Sequence, residues 1–131
     1  MPVDFNPQSA KWQLHLEFKT GSDVTTNSFV FNQLNSINIV VNSAELRLGL
    51  GDGTGWTIYN TAKIADVTAI TEYELDIEFT GTQYNVSLDS TNVLTVSSTS
   101  AIGTHTGNIG TNNGHTNPFL GTIDLKGCYI N

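Results

Sequence analysis

Positive charge is scarce in this sequence: five lysines and arginines stand against twelve aspartates and glutamates, a formal net charge of −7 over 131 residues. Lys11, Lys19, Arg47, Lys63 and Lys126 are scattered along the chain. A nucleic-acid partner is held by clustered Lys and Arg that neutralise phosphates, so DNA, RNA and anionic membrane surfaces are not expected partners. A single cysteine, Cys128, excludes an internal disulfide, and its expected place is that of a small buried residue in the last strand. No apolar run approaches the ~20 residues needed to cross a bilayer, and the N-terminus has no basic-then-apolar signal pattern. Neither a signal peptide nor a transmembrane segment is expected in this chain, and work outside a cell would need delivery as part of something larger. Runs of Ala, Leu, Glu and Lys, the strong helix formers, are missing too.

What is present suits strands and turns. Charged residues make up 13% of the chain, about half the usual share, and Thr, Asn, Ser and Gly take their place. Thr fits a pleated surface, while Gly and Asn tolerate the positive φ of tight turns. Apolar residues recur with period two. Trp12, Leu14, Leu16 and Phe18 alternate with Gln13, His15, Glu17 and Lys19, the pattern of a half-buried strand. Ile37, Ile39 and Val41 form a further run, Asn42-Ser43 turns the chain, and Leu46, Leu48 and Leu50 follow. Tyr73, Leu75, Ile77 and Phe79 lead through Thr80-Gly81-Thr82 into Tyr84, Val86 and Leu88, which reads as a hairpin. Residues 60–71 read as an irregular crossover, with room for a short helical turn around Thr61 to Val67. Roughly nine to eleven short strands indicate one all-β domain over residues 1–131, with two antiparallel sheets burying their apolar faces against each other.

The order of motifs carries a resemblance. The Trp12 strand, the Leu46-Arg47-Leu48-Gly49-Leu50 strand with its Gly-Asp-Gly loop, the Phe79-to-Tyr84 hairpin and the closing Pro118-Phe119-Leu120-Gly121-Thr122-Ile123-Asp124-Leu125 together resemble the concanavalin A-like lectin/glucanase superfamily, above all its laminin-G-like domains. The resemblance implies a jelly-roll β-sandwich in which Phe-x-Gly-x-Ile-Asp forms the final strand of one sheet. The opening Phe5-Asn6-Pro7 and the closing segment look like versions found in bacteriophage tail and virion proteins. That implies a virion or extracellular surface setting, with a bacterial glycan or polysaccharide and other virion or assembly proteins as partners.

Three constellations are candidates for chemistry. Glu74-Leu75-Asp76-Ile77-Glu78 resembles the Glu-x-Asp-x-Glu strand of lichenase-type β-glucanases, which implies Glu74 as nucleophile and Glu78 as acid/base, with Asp76 tuning them. Period two puts the three carboxylates on one face. Their outer Cα atoms would lie ~13 Å apart, whereas retaining chemistry needs carboxyl groups ~5–5.5 Å apart. Glu72 extends the same row, as a solvated strand face would, and the paired strand offers no aromatic platform. The chain is therefore expected to bind and not to catalyse. The loop Gly51-Asp52-Gly53-Thr54-Gly55 ahead of Trp56 reads either as a tight turn before a core Trp or as a sugar platform, with Trp56 and Tyr59 stacking on a pyranose and Asp52 holding hydroxyls. Laminin-G-like domains also imply calcium at Asp52, although the loop supplies no second carboxylate for a cation that wants six to eight oxygens. No other cofactor is expected. Finally, Asn112, Asn113 and His115 are candidates for a polar rim, since amides match a sugar's paired donors and acceptors. Two loop histidines, His105 and His115, lack a nearby third ligand for zinc, and His15 reads as isolated and structural. The function expected is that of a carbohydrate-binding or adhesive module. A structural virion domain and a small β-glucanase are the alternatives.

Overall fold

The computed structural model describes residues 2–4, 11–103, 106–112, 114 and 116–130. Twelve strands and no helix occur among them. They are β1 (Pro2–Asp4), β2 (Trp12–Lys19), β3 (Ser28–Gln33), β4 (Ile37–Asn42), β5 (Glu45–Leu50), β6 (Tyr59–Asp66), β7 (Glu72–Phe79), β8 (Gln83–Leu88), β9 (Thr91–Ser97), β10 (Thr106–Ile109), β11 (Thr122–Ile123) and β12 (Tyr129–Ile130). The first sheet runs β1-β10-β3-β4-β5-β6, and the second runs β11-β2-β7-β8-β9 with β12 also pairing β2. Every ladder within the two sheets is antiparallel. This is a two-sheet jelly-roll β-sandwich.

Alternation in the sequence sets which face each side chain takes. Leu14, Leu16, Leu75 and Ile77 from the second sheet meet Ile37, Ile39, Leu46 and Leu48 from the first, all essentially inaccessible. Burying each such side chain contributes roughly 1.5–3 kcal/mol. Aromatic groups close the two ends of the second sheet. At one end Tyr84 stacks on Phe79 at 4.4 Å between ring centres and meets Trp12 edge-on at 5.9 Å. At the other, Phe18 lies 5.7 Å from both Tyr73 and Phe119. The β4–β5 connection is a two-residue turn with Ser43 and Ala44 both left-handed (φ 55° and 57°), the twist that suits a tight hairpin.

Three local readings change. Residues 59–66 form β6, an edge strand, where a crossover or helical turn was expected. Two register shifts against β5 break the period-two signal there, because each bulge slips the alternation by one residue. The closing Phe-x-Gly-x-Ile-Asp segment does supply an edge strand, but only Thr122 and Ile123 pair with β2, β12 follows it, and Leu125 is exposed. Cys128 is half-buried just ahead of β12, where its thiol donates to the Asp124 carbonyl at 3.2 Å and burial pushes its pKa up.

Candidate functional site

Leu46, Leu48 and Leu50 point into the core, so Gly49 between them turns outward. Trp56 occupies that outward space. A Cβ on Gly49 would stand 3.0 Å from Cε3 of Trp56 and collide with the Thr61 hydroxyl. The missing side chain is what lets the indole lie against the outer face of the first sheet. Trp56 is half-buried and lies outside the core cluster, so it is not the core Trp of a simple turn.

Amides flank this ring. Asn38 is the register partner of Gly49 and Asn32 the register partner of Asn38, and directly opposed residues sit side by side on one face. Asn32 donates an Nδ2 hydrogen to Oδ1 of Asn38 at 3.3 Å, and Asn108 pairs next to Asn32 on β10. Asn32, Asn108 and Val40 are buried although none belongs to the core cluster, so this outer face is sheltered. Toward its far end Arg47 donates to Glu45 at 2.8 Å, and Lys63 lies 2.7 Å from Asp66 and 3.6 Å from Glu45. Asn32, Asn38 and Asn108 were not among the expected site residues. The signal was present in Ile37-Asn38-Ile39, where an amide fills the outward step of an apolar alternation.

The remaining expected residues are divided by the fold. Tyr59 pairs with the buried Leu50 and packs on the core, on the side of the sheet opposite the indole. Asp52 is exposed in the loop after β5, where its carboxylate accepts hydrogen bonds from the Thr54 hydroxyl at 2.6 Å and the Thr54 amide at 3.0 Å. Those two bonds hold its pKa below the usual carboxylate value. Asn112 is at the other end of the sandwich. β5 ends beside Ile37 and Gln33, whereas β10 leads out past Val30, beside the start of β5. Both ends of the Asn112 amide are engaged within its own loop, Nδ2 donating to the Thr116 hydroxyl and Oδ1 accepting from the Thr116 amide. A shared rim of Asp52, Trp56 and Asn112 is therefore not assembled within one chain. Asn113 and His115 lie outside the described residues, as do His105 and Phe5-Asn6-Pro7.

The outer face of the second sheet has a different character. Glu74, Asp76 and Glu78 do share that face, opposite Glu17, His15 and Gln13 of β2. His15 is not isolated. Its Nδ1 is 2.7 Å from Oδ1 of Asp76, and its Nε2 is 3.9 Å from Oε2 of Glu17. Gln13 donates to the same Asp76 oxygen at 3.2 Å. Beside this row a cleft of 530 Å³ is lined by Glu17, Lys19, Glu72, Glu74, Asp89 and Asp124, among others. β8 contributes Asn85 and Ser87 opposite Glu78 and Asp76, and β12 sets Tyr129 in register with His15.

Solved structures share the fold. The chain superposes on mouse laminin α1 chain domains LG4-5 with a TM-score of 0.68 at 11% identity, over 100% of this chain and 38% of that one. It superposes on alginate lyase AlgAT5 of polysaccharide lyase family 7 with a TM-score of 0.59 at 16% identity, over 92% of this chain and 58% of the lyase. Sheep galectin-11, solved with glycerol, gives 0.57 at 10% identity, over 100% and 95% of the two chains. No protein-family model matches the sequence, and neither does any curated protein. The likeness establishes a concanavalin A-like jelly roll and nothing finer, and the chain spans only part of the laminin and lyase chains. It also corrects the expectation of a chain that binds without catalysing: 92% of this chain superposes on 58% of a lyase, so the fold gives no ground for excluding an enzyme.

Proposed function

We propose that this chain binds carbohydrate on the outer face of its first sheet, with Trp56 as the stacking platform and Asn38, held by the buried Asn32, as the hydroxyl-matching amide. The observation that carries the reading is the indole seated on Gly49: a large, half-exposed aromatic face held outside the core beside ordered amides. An indole covers the apolar face of a pyranose, and paired amide donors and acceptors match vicinal hydroxyls. Galectin and laminin-G-like neighbours are compatible with this use. Asp52, at the exposed loop above the sheet end, is the residue through which calcium would contribute. The phage-like opening and closing segments support display on a virion or tail that contacts bacterial surface glycans, where repetition would convert a modest single-site affinity into firm attachment.

Glycan-array binding, run with and without calcium, tests the proposal. Trp56→Ala is expected to weaken binding at least about tenfold, the loss typical of a removed aromatic anchor, with an unchanged far-ultraviolet circular dichroism spectrum. Binding that survives the substitution refutes the platform. A second reading, cleavage of a polysaccharide, is favoured by the row Glu74, Asp76 and Glu78 with His15 against Asp76. Release of reducing ends from mixed-linkage β-glucan or alginate, abolished in Glu74→Gln, would support it.

A further inference from the structure

We propose that the outer face of the second sheet holds a divalent transition-metal ion, ligated by His15, Glu17 and Glu74, with Asp76 positioning the imidazole. A ring nitrogen of His15 and one carboxylate oxygen each from Glu17 and Glu74 lie within 4.8 Å of one another, the one such group of three among the described residues. The ladder produces this grouping. His15 and Glu17 are two apart on β2, and Glu74 is the register partner of Glu17 on β7. Around an ion with bonds of ~2.0–2.2 Å, tetrahedral donors stand roughly 3.3 Å apart. The 3.9 Å between His15 Nε2 and Glu17 Oε2 therefore needs only a small side-chain adjustment to close on a metal.

Two further features fit a ligand set better than a plain acidic face. Metal-binding histidines characteristically give their second ring nitrogen to a carboxylate, which fixes the tautomer and the ring plane. Asp76 takes that place at 2.7 Å from Nδ1, steadied by Gln13, and Nε2 lies 3.9 Å from Glu17 Oε2. The Glu17 carboxylate is seated against Gly127, where any Cβ would collide with it. That backbone approach holds the acid in place beside the imidazole. An imidazole with two carboxylates suits zinc and its neighbours, whereas calcium and magnesium favour oxygen alone. Glu17 and Glu74 also line the 530 Å³ cleft, so three protein ligands leave a coordination position open toward it for water or a ligand oxygen.

The test titrates Zn²⁺ alone into chelator-treated full chain carrying His105→Ala and His115→Ala, which removes the loop histidines as competing ligands, and follows binding by calorimetry. One zinc per chain is expected. Glu74→Gln and His15→Gln should each weaken binding at least tenfold, Asp76→Asn roughly ten- to a hundredfold as an orienting carboxylate does, and excess Ca²⁺ or Mg²⁺ should not compete. Glu74 is exposed, so its variant decides the matter even where a His15 variant unfolds. No zinc uptake, or uptake indifferent to Glu74→Gln, overturns the proposal. So does nitrogen NMR showing His15 doubly protonated between Asp76 and Glu17 in the presence of zinc.

Discussion

Alanine at Gly49 would add one methyl group beneath the Trp56 indole, and the consequences can be worked out from the contact. The new Cβ would stand 3.0 Å from Cε3, where ordinary contacts are 3.4–4 Å, and would collide with the Thr61 hydroxyl. The ring must lift by a few tenths of an ångström and Thr61 must rotate. Overpacking of this kind costs about 1–3 kcal/mol, while replacing glycine within a strand returns roughly 0.5–1 kcal/mol. The net destabilisation is about 0–2.5 kcal/mol, a melting temperature lower by up to roughly 10 °C for a domain of this size. Stability alone is thus a weak readout, and the position of the indole is the strong one. Trp12 is 5% exposed in the core, so emission quenched by acrylamide reports on Trp56. Quenching should rise in Gly49→Ala, glycan affinity should fall at least about threefold, and a second change, Thr61→Ala, should restore part of both. Quenching and melting identical to the parent would show that the indole is not seated on Gly49, and the platform would fall with it.

Two further outcomes follow from buried and strained positions. Tyr84 is fully buried and donates its hydroxyl to the Ser100 carbonyl at 2.6 Å, and burial pushes its pKa up to about 12. Below pH 10 both folded and unfolded tyrosine are neutral and nothing is lost. Between pH 10 and 12 only the unfolded chain ionises, so stability should drop there by at most about 3 kcal/mol. Urea titrations should show a shallower decline in Tyr84→Phe, and equal slopes would refute the assignment. Ser90 is exposed at φ 66° in the β8–β9 turn, a backbone region that favours glycine. Ser90→Gly should therefore raise stability by about 0.5–1 kcal/mol, read as a higher urea midpoint at constant slope.

The architecture was legible wherever alternation was clean. β2, β4, β5, β7 and β8 follow directly from apolar residues at every second position, because period two has only one way to bury its apolar face. β6 was hidden for the complementary reason: bulges opposite Leu46/Arg47 and Leu48/Leu50 interrupt the alternation that identifies a strand. The acidic row of Glu74, Asp76 and Glu78 was readable as one face, since strand geometry is local.

What the linear order could not specify is adjacency across strands and between the ends of the sandwich. Asp52, Trp56 and Asn112 look like one polar-aromatic set along the chain, yet antiparallel reversal sends the loops after β5 and β10 to opposite ends. Asn32 and Asn38, six residues apart, become neighbours beside Trp56 only through the β3–β4–β5 register. His15 and Asp76, 61 residues apart, meet because β2 lies next to β7 in the second sheet. The sequence by itself determined which side chains face inward, because facing depends only on residue parity. Tertiary structure alone decided which outward side chains stand together, because strand order and direction are set by how the two apolar faces close over a common core.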